Sequence, residues 1–117
     1  MKLWYSNSSP YARKARAVVQ YHQLQDHVEL LLASSGLDKN SPHNLDNPLG
    51  RLPALQRENG EWLYNSSLIA EYLDHIGTQP SLYGNSETRW EILRLHYLAD
   101  GILENEISVA PEKCLRP

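Results

Sequence analysis

Three short segments of this chain carry residue types that can do chemistry together. The first is Ser9-Pro10, which follows Asn7-Ser8 and precedes Tyr11. Serine suits a helix N-cap, and proline suits the first helical position, where its missing N–H is no loss. A hydroxyl there stands beside free backbone N–H groups and the positive end of the helix dipole. That environment favours a thiolate over a thiol, and a serine held in it can donate a hydrogen bond to a thiolate carried by a ligand. The second segment is Leu52-Pro53, because X-Pro bonds are the ones that readily become cis. The third is Asn65-Ser66, at a helix start whose N–H groups and dipole form a ready carboxylate site. Each has a plain structural alternative. Ser9 and Asn65 can be simple caps, Pro53 a strand-edge proline, and Arg51 a solvated charge instead of a carboxylate partner.

The surrounding patterns indicate what positions these residues. Residues 2 to 5 read as a strand. Over residues 11 to 23, Ala12, Ala15, Val18, Val19 and His22 recur at helical spacing, with Arg13, Lys14 and Arg16 on the other face. Residues 27 to 32, with Val28, Leu30, Leu31 and Leu32, predict a second strand, parallel to the first through a right-handed crossover. Residues 33 to 46 read as a loop with room for one short helix, and residues 47 to 50 as a turn. Strands over 53 to 57 and 62 to 64 flank a hairpin turn at Asn59-Gly60. A helix over 66 to 76 places Leu68, Ile69, Tyr72, Leu73 and Ile76 on one side and ends at Gly77 as its C-cap. The order β-α-β, then β-β-α, predicts an α/β unit with a mixed four-stranded sheet. A flexible linker over 78 to 86 then leads to one long helix from 87 to about 107 and a short tail containing Pro111 and Pro117. The long helix is apolar nearly all round, so it wants partners on more than one side.

In this order and at these spacings, Tyr5-Ser6…Ser9-Pro10-Tyr11…Arg16, Asn47-Pro48-Leu49-Gly50-Arg51-Leu52-Pro53-Ala54-Leu55 and Asn65-Ser66-Ser67-Leu68-Ile69-Ala70-Glu71-Tyr72-Leu73 resemble the bacterial, serine-type cytosolic glutathione S-transferases. The resemblance covers a thioredoxin-like domain over residues 1–77, a linker over 78–86 and the start of an all-helical second domain over 87–117, truncated after its first helix. It implies glutathione as co-substrate. Ser9 would stabilise its thiolate, with Ser8, Ser6 and Tyr5 as rival donors. Leu52, before a cis Pro53, would pair with the cysteinyl backbone, and Ser66 would hold the γ-glutamyl carboxylate. Asn65 stands where the family usually has Glu, Asp or Gln; it keeps hydrogen bonding without the charge. The implied activity is transfer of glutathione to a small hydrophobic electrophile, in detoxification or stress response, by a homodimer. The alternative is a non-catalytic adaptor of the same fold. A glutaredoxin-type oxidoreductase is disfavoured because position 9 is serine.

Composition excludes other classes. Eleven Lys and Arg against fourteen Asp and Glu, a net charge of −3, give no basic footprint for nucleic acid or an anionic membrane surface. The 41% apolar and 21% charged fractions of these 117 residues are those of a globular chain with one core. No apolar run approaches a spanning helix, and the N-terminus does not read as a leader peptide. The one cysteine, Cys114, excludes an internal disulfide and fits a cytoplasmic location. His22, His27, His43, His75 and His96 are scattered without metal-ligand spacing, so no metal is expected.

Overall fold

A computed structural model describes residues 1–33, 42–47 and 49–115. The elements are β1 (Lys2–Tyr5), α1 (Pro10–Tyr21), β2 (Glu29–Leu32), α2 (His43–Asp46), β3 (Ala54–Gln56), β4 (Trp62–Tyr64), α3 (Ser66–Ile76) and α4 (Arg89–Leu115). They fall into two compact units, Met1–Ser81 and Leu82–Pro117. In the first, the sheet order is β2-β1-β3-β4, with β1 and β2 parallel and the other neighbours antiparallel. This is the mixed four-stranded sheet expected from the sequence.

Register sorts the side chains into layers, because successive residues of a strand face opposite ways. Leu3 pairs with Leu55, and Leu55 with Leu63. These apolar residues face α1 and α3 in a core with Ala15, Val18, Val19, Leu24, Val28, Ile69, Ala70 and Leu73. Trp4, Ala54 and Tyr64 form the adjacent register row, on the opposite face. There Asp46 of α2 ties to the sheet twice: its carboxylate accepts from Trp4 Nε1 at 2.8 Å and its carbonyl from the Tyr64 hydroxyl at 3.0 Å. Of the predicted loop before Asn47, residues 34–41 lie outside the described residues, as does Pro48 of the following turn.

The end of the first helix differs from expectation, and that of α3 agrees with it. Helix α1 stops at Tyr21, two residues early, because Gln23 takes a positive φ of 57°. Leu24 N–H then bonds to Val19 C=O at 2.9 Å and Gln23 N–H to Gln20 C=O at 3.1 Å. This is a Schellman closure, with Leu24 and Val19 both in the core. Gly77 is the C-cap of α3, as expected, with extended backbone at φ −72° and ψ 162°. Its role is steric: a Cβ there would collide with the His22 ring. Within α3, Leu68 also departs from the predicted buried side, being 51% exposed.

His22 is a further correction. Its spacing places it on the apolar face of α1, and its side chain is fully buried, yet it makes polar contacts on both ring nitrogens. Nε2 lies 2.8 Å from Asp74 Oδ1, and Nδ1 accepts the backbone N–H of Gln79 at 3.2 Å. Because Nδ1 is an acceptor there, the proton sits on Nε2 and is donated to the carboxylate. Asp74 also accepts from the Ser81 hydroxyl at 2.7 Å, and the Tyr21 hydroxyl donates to Pro80 C=O at 2.8 Å.

Those bonds bear on the expected flexible linker as well. Residues 79 to 81 are fastened to the first unit, and Asn85 organises the entry to α4 within the second. Asn85 Oδ1 accepts the N–H groups of Glu87 and Thr88 at 2.9 and 3.0 Å, while Thr88 Oγ1 accepts from Asn85 N–H at 3.0 Å. Helix α4 starts at Arg89, not at residue 87, and runs on past residue 107 through Pro111 to Leu115. Cys114 falls in its last turn, where side chains lie outside the described residues. Trp90, Leu95, Tyr97, Leu98 and Ile102 of this helix are each more than half exposed, in keeping with its all-round apolar pattern.

Candidate functional site

The strand register brings the three candidate segments to one end of the sheet. Trp4 pairs with Ala54 in antiparallel sense, so the chain leaving β1 toward Ser9 emerges beside Leu52-Pro53, which enters β3. Ala54 also pairs antiparallel with Tyr64, so the exit of β4 into Asn65-Ser66 emerges there too.

Ser9 is the N-cap of α1, and its Oγ accepts the N–H of Ala12 at 3.1 Å. A hydroxyl has one proton and two lone pairs, so capping leaves the proton to donate outward, and accepting a bond polarises that donor. The cap and thiolate-donor readings of Ser9 are therefore compatible. Of its rivals, Ser6 and Ser8 face each other, Oγ to Oγ at 3.5 Å. The Tyr5 ring carries the Arg16 guanidinium 4.5 Å from its centroid. Among the described residues the partner of Arg16 is this ring.

The Leu52-Pro53 bond is cis, as the resemblance implies. Pro53 is buried and Leu52 half-buried. Among the described residues the Leu52 N–H and C=O take no hydrogen bond, which leaves both for an extended ligand. The preceding loop is held by Asn47, 1% exposed, whose importance the sequence gave little reason to suspect. Its Oδ1 accepts from Leu49 N–H at 2.9 Å, its C=O from Gly50 N–H at 2.9 Å, and its Nδ2 donates to Arg51 C=O. Gly50 has a φ of +64°, which suits a residue without Cβ. The Arg51 residue is exposed, in line with a solvated charge.

Asn65 caps α3, its Oδ1 accepting from Ser67 N–H at 2.9 Å. Its φ of 75° with ψ of 120° is uncommon for a residue with a Cβ, a conformation that costs on the order of 1–3 kcal/mol and clusters at ligand sites. Ser66 begins the helix at 9% exposure, and among the described residues its hydroxyl takes no partner. The helix start thus presents N–H groups, a dipole and a hydroxyl to a carboxylate. Lys14, which the sequence placed in a basic face of α1, reaches this turn: its Nζ lies 3.4 Å from Ser67 Oγ. Among the described residues no group of three His, Cys, Asp or Glu could hold a metal ion, and no helix is long and apolar enough to cross a membrane.

Residues 8–76 match the family model described as glutathione S-transferase, N-terminal domain. The chain is 30% identical to the GST-like protein YibF of Escherichia coli over 89% of its own length and 50% of that protein's. It is 32% identical to the maleylacetoacetate isomerase of Pseudomonas aeruginosa over 76% of its own length and 43% of that enzyme's. Among solved structures, a glutathione S-transferase from Methylobacillus flagellatus with bound glutathione superposes with a TM-score of 0.88 at 35% identity, over 98% of this chain and 56% of the other. The chain spans about half the length of the relatives it matches. With a thioredoxin-like sheet, a matching domain over more than half its residues and bacterial glutathione transferases as its structural neighbours, this chain belongs to the glutathione S-transferase family.

Proposed function

We propose that the chain binds glutathione at the sheet end where β1, β3 and β4 deliver Ser9, Leu52 and Ser66. That convergence, set by strand register, is the observation that carries the reading. The cysteinyl backbone pairs with Leu52 in strand fashion. The γ-glutamyl carboxylate binds the start of α3 through Ser66, and Asn65 shapes the turn. Ser9 donates to the sulfur and favours the thiolate, which attacks a small hydrophobic electrophile. Catalysis then comes mainly from thiolate stabilisation and positioning. The bound glutathione of the M. flagellatus neighbour and the isomerase relative support this direction.

Titration calorimetry with glutathione tests the binding, and absence of heat from glutathione rejects it. The chemistry is tested by the thiol's titration, followed as thiolate absorbance against pH. The pKa of bound glutathione should lie below the free-thiol value of about 8.5, so that more thiolate is present at neutral pH than in solution. Ser9→Ala should raise it by about a unit or less, the amount one hydrogen bond supplies. An unchanged titration would move the role to Ser8, Ser6, Tyr5 or the helix end itself.

The exposed side chains of α4 support a homodimer. Leaving half a dozen large apolar groups wet forgoes about 1.5–3 kcal/mol each, and a two-fold pair using the same patch on both copies is the simplest way to cover them. Light scattering at micromolar concentration should give twice the 13.4 kDa chain mass. A clean monomer that binds no apolar dye would defeat the proposal.

A further inference from the structure

We propose that Asn59 is a site of self-modification, where the side-chain amide cyclises onto the Gly60 backbone nitrogen and then opens to aspartate and isoaspartate. Two pairs in the chain have the residue types for such a closure, Asn59-Gly60 and Asp100-Gly101, and Asn59 is the one asparagine followed by glycine. The structure separates them. Gly101 lies inside α4, where N–H groups are spent on the helix ladder. Asn59 and Gly60 are exposed at the tip of the β3–β4 hairpin. Such a tip of small polar residues is where a chain opens most readily. The hairpin lies beyond the paired Gln56 and Trp62, at the opposite end of the sheet from Ser9, Leu52 and Ser66, so this proposal stands apart from the glutathione reading.

The turn holds the reacting groups together. Gly60 N–H donates to Arg57 C=O at 3.0 Å, which closes a β-turn over residues 57–60, and Gly60 itself has a φ of +89°. Asn59 Oδ1 accepts the N–H of Glu61 at 3.0 Å. That bond spans Gly60, so it folds the asparagine side chain forward over the peptide whose nitrogen must attack. It also polarises the side-chain carbonyl and makes Cγ more electrophilic. A Cβ at Gly60 would meet nothing within 4 Å, so no neighbouring segment crowds the closing ring. Closure forms the bond from Gly60 N to Asn59 Cγ and breaks the bond from Cγ to Nδ2. Ammonia leaves, carrying the proton of the Gly60 N–H. Water then opens the five-membered imide. Attack at Cγ leaves aspartate; attack at the backbone carbonyl leaves isoaspartate, with one extra carbon in the main chain. The bond from Gly60 N–H to Arg57 C=O must open first, and it lies at the exposed tip. Either product sets a new carboxylate beside Glu58 and Glu61, where Arg57 already stands 3.3 Å from Glu61. The extra carbon of isoaspartate also displaces Glu61 C=O from Arg57 N–H, which donates to it at 2.8 Å.

The test incubates the full chain, folded and in urea, at mildly alkaline pH. Peptide mass mapping follows each asparagine, and methyl transfer by a protein-isoaspartate methyltransferase reads out isoaspartate. The folded chain should gain the mass of an amide-to-acid exchange at Asn59 before any other asparagine, and should accept methyl groups at the same position. Asn59→Gln, whose closure would need a six-membered ring, should show neither signal there. Conversion of Asn59 in urea but not in the folded chain would show that the turn protects it, and overturns the proposal. Earlier conversion of another asparagine in the folded chain overturns it as well.

Discussion

Replacing Ser66 by alanine is expected to weaken glutathione binding by about 10- to 150-fold, the ratio that corresponds to roughly 1.5–3 kcal/mol for a hydrogen bond to a charged group. The substitution leaves the backbone of the first turn of α3 intact, so the dipole and N–H groups still attract the carboxylate. What is lost is a side-chain donor at the first turn, on a residue that is 9% exposed in the free chain. In the proposed binding mode Ser9 faces the sulfur, a weaker acceptor, so Ser9→Ala should change affinity less than Ser66→Ala and act mainly on the thiol's titration. Calorimetry on Ser66→Ala, with circular dichroism to verify folding, is the direct measurement. Equal affinity in variant and parent would remove the γ-glutamyl group from this turn.

The second large effect concerns stability. Removing the His22 ring should destabilise the first unit by about 3–5 kcal/mol, the range found when one partner of a buried polar pair is deleted. Asp74 would keep a nearly buried carboxylate, its side chain 6% exposed, without the imidazole donor. The Gln79 N–H would lose its acceptor as well. A double-mutant cycle separates this from simple loss of packing. His22→Ala and Asp74→Ala should each cost several kcal/mol in urea unfolding, while the double variant should cost clearly less than their sum. Strict additivity, or single losses under about 1 kcal/mol, would show that the pair is not a coupled unit.

Much of the fold was legible because its signals are local. The Ser9-Pro10 cap, the Asn59-Gly60 hairpin and the alternation of buried and exposed residues along α1 each occupy a dozen residues or fewer. The candidate site was legible for the same reason: it is made of segment ends, and segment ends carry capping and turn residues. What the sequence hid depends on partners distant in the chain. His22 looks apolar by spacing, since its acceptor is 52 residues away. Lys14 looks like one more charge on a solvated face until α3 packs beside α1 and places Ser67 within reach. Asn47 looks like an ordinary turn residue, but burial makes it the clasp of the loop that carries Leu52. The end of α4 was misjudged as well. The expected end was about residue 107, and the helix continues through Pro111 to Leu115.

The close approach of Gly77 to His22 also bears on how this sequence can drift. The imidazole occupies the space that any Cβ at position 77 would need, so the tolerance of one site is conditional on the occupant of the other. While an imidazole fills position 22, every replacement at 77 is disfavoured. Once a small residue stands at 22, alanine and serine become acceptable at 77, and from then on the imidazole cannot return without a prior reversion to glycine. The two positions form a ratchet. Lineages that pass through it in the forward direction would carry the loss of the His22–Asp74 bond as a lasting mark, and the order of the substitutions could be read from which descendants keep the glycine.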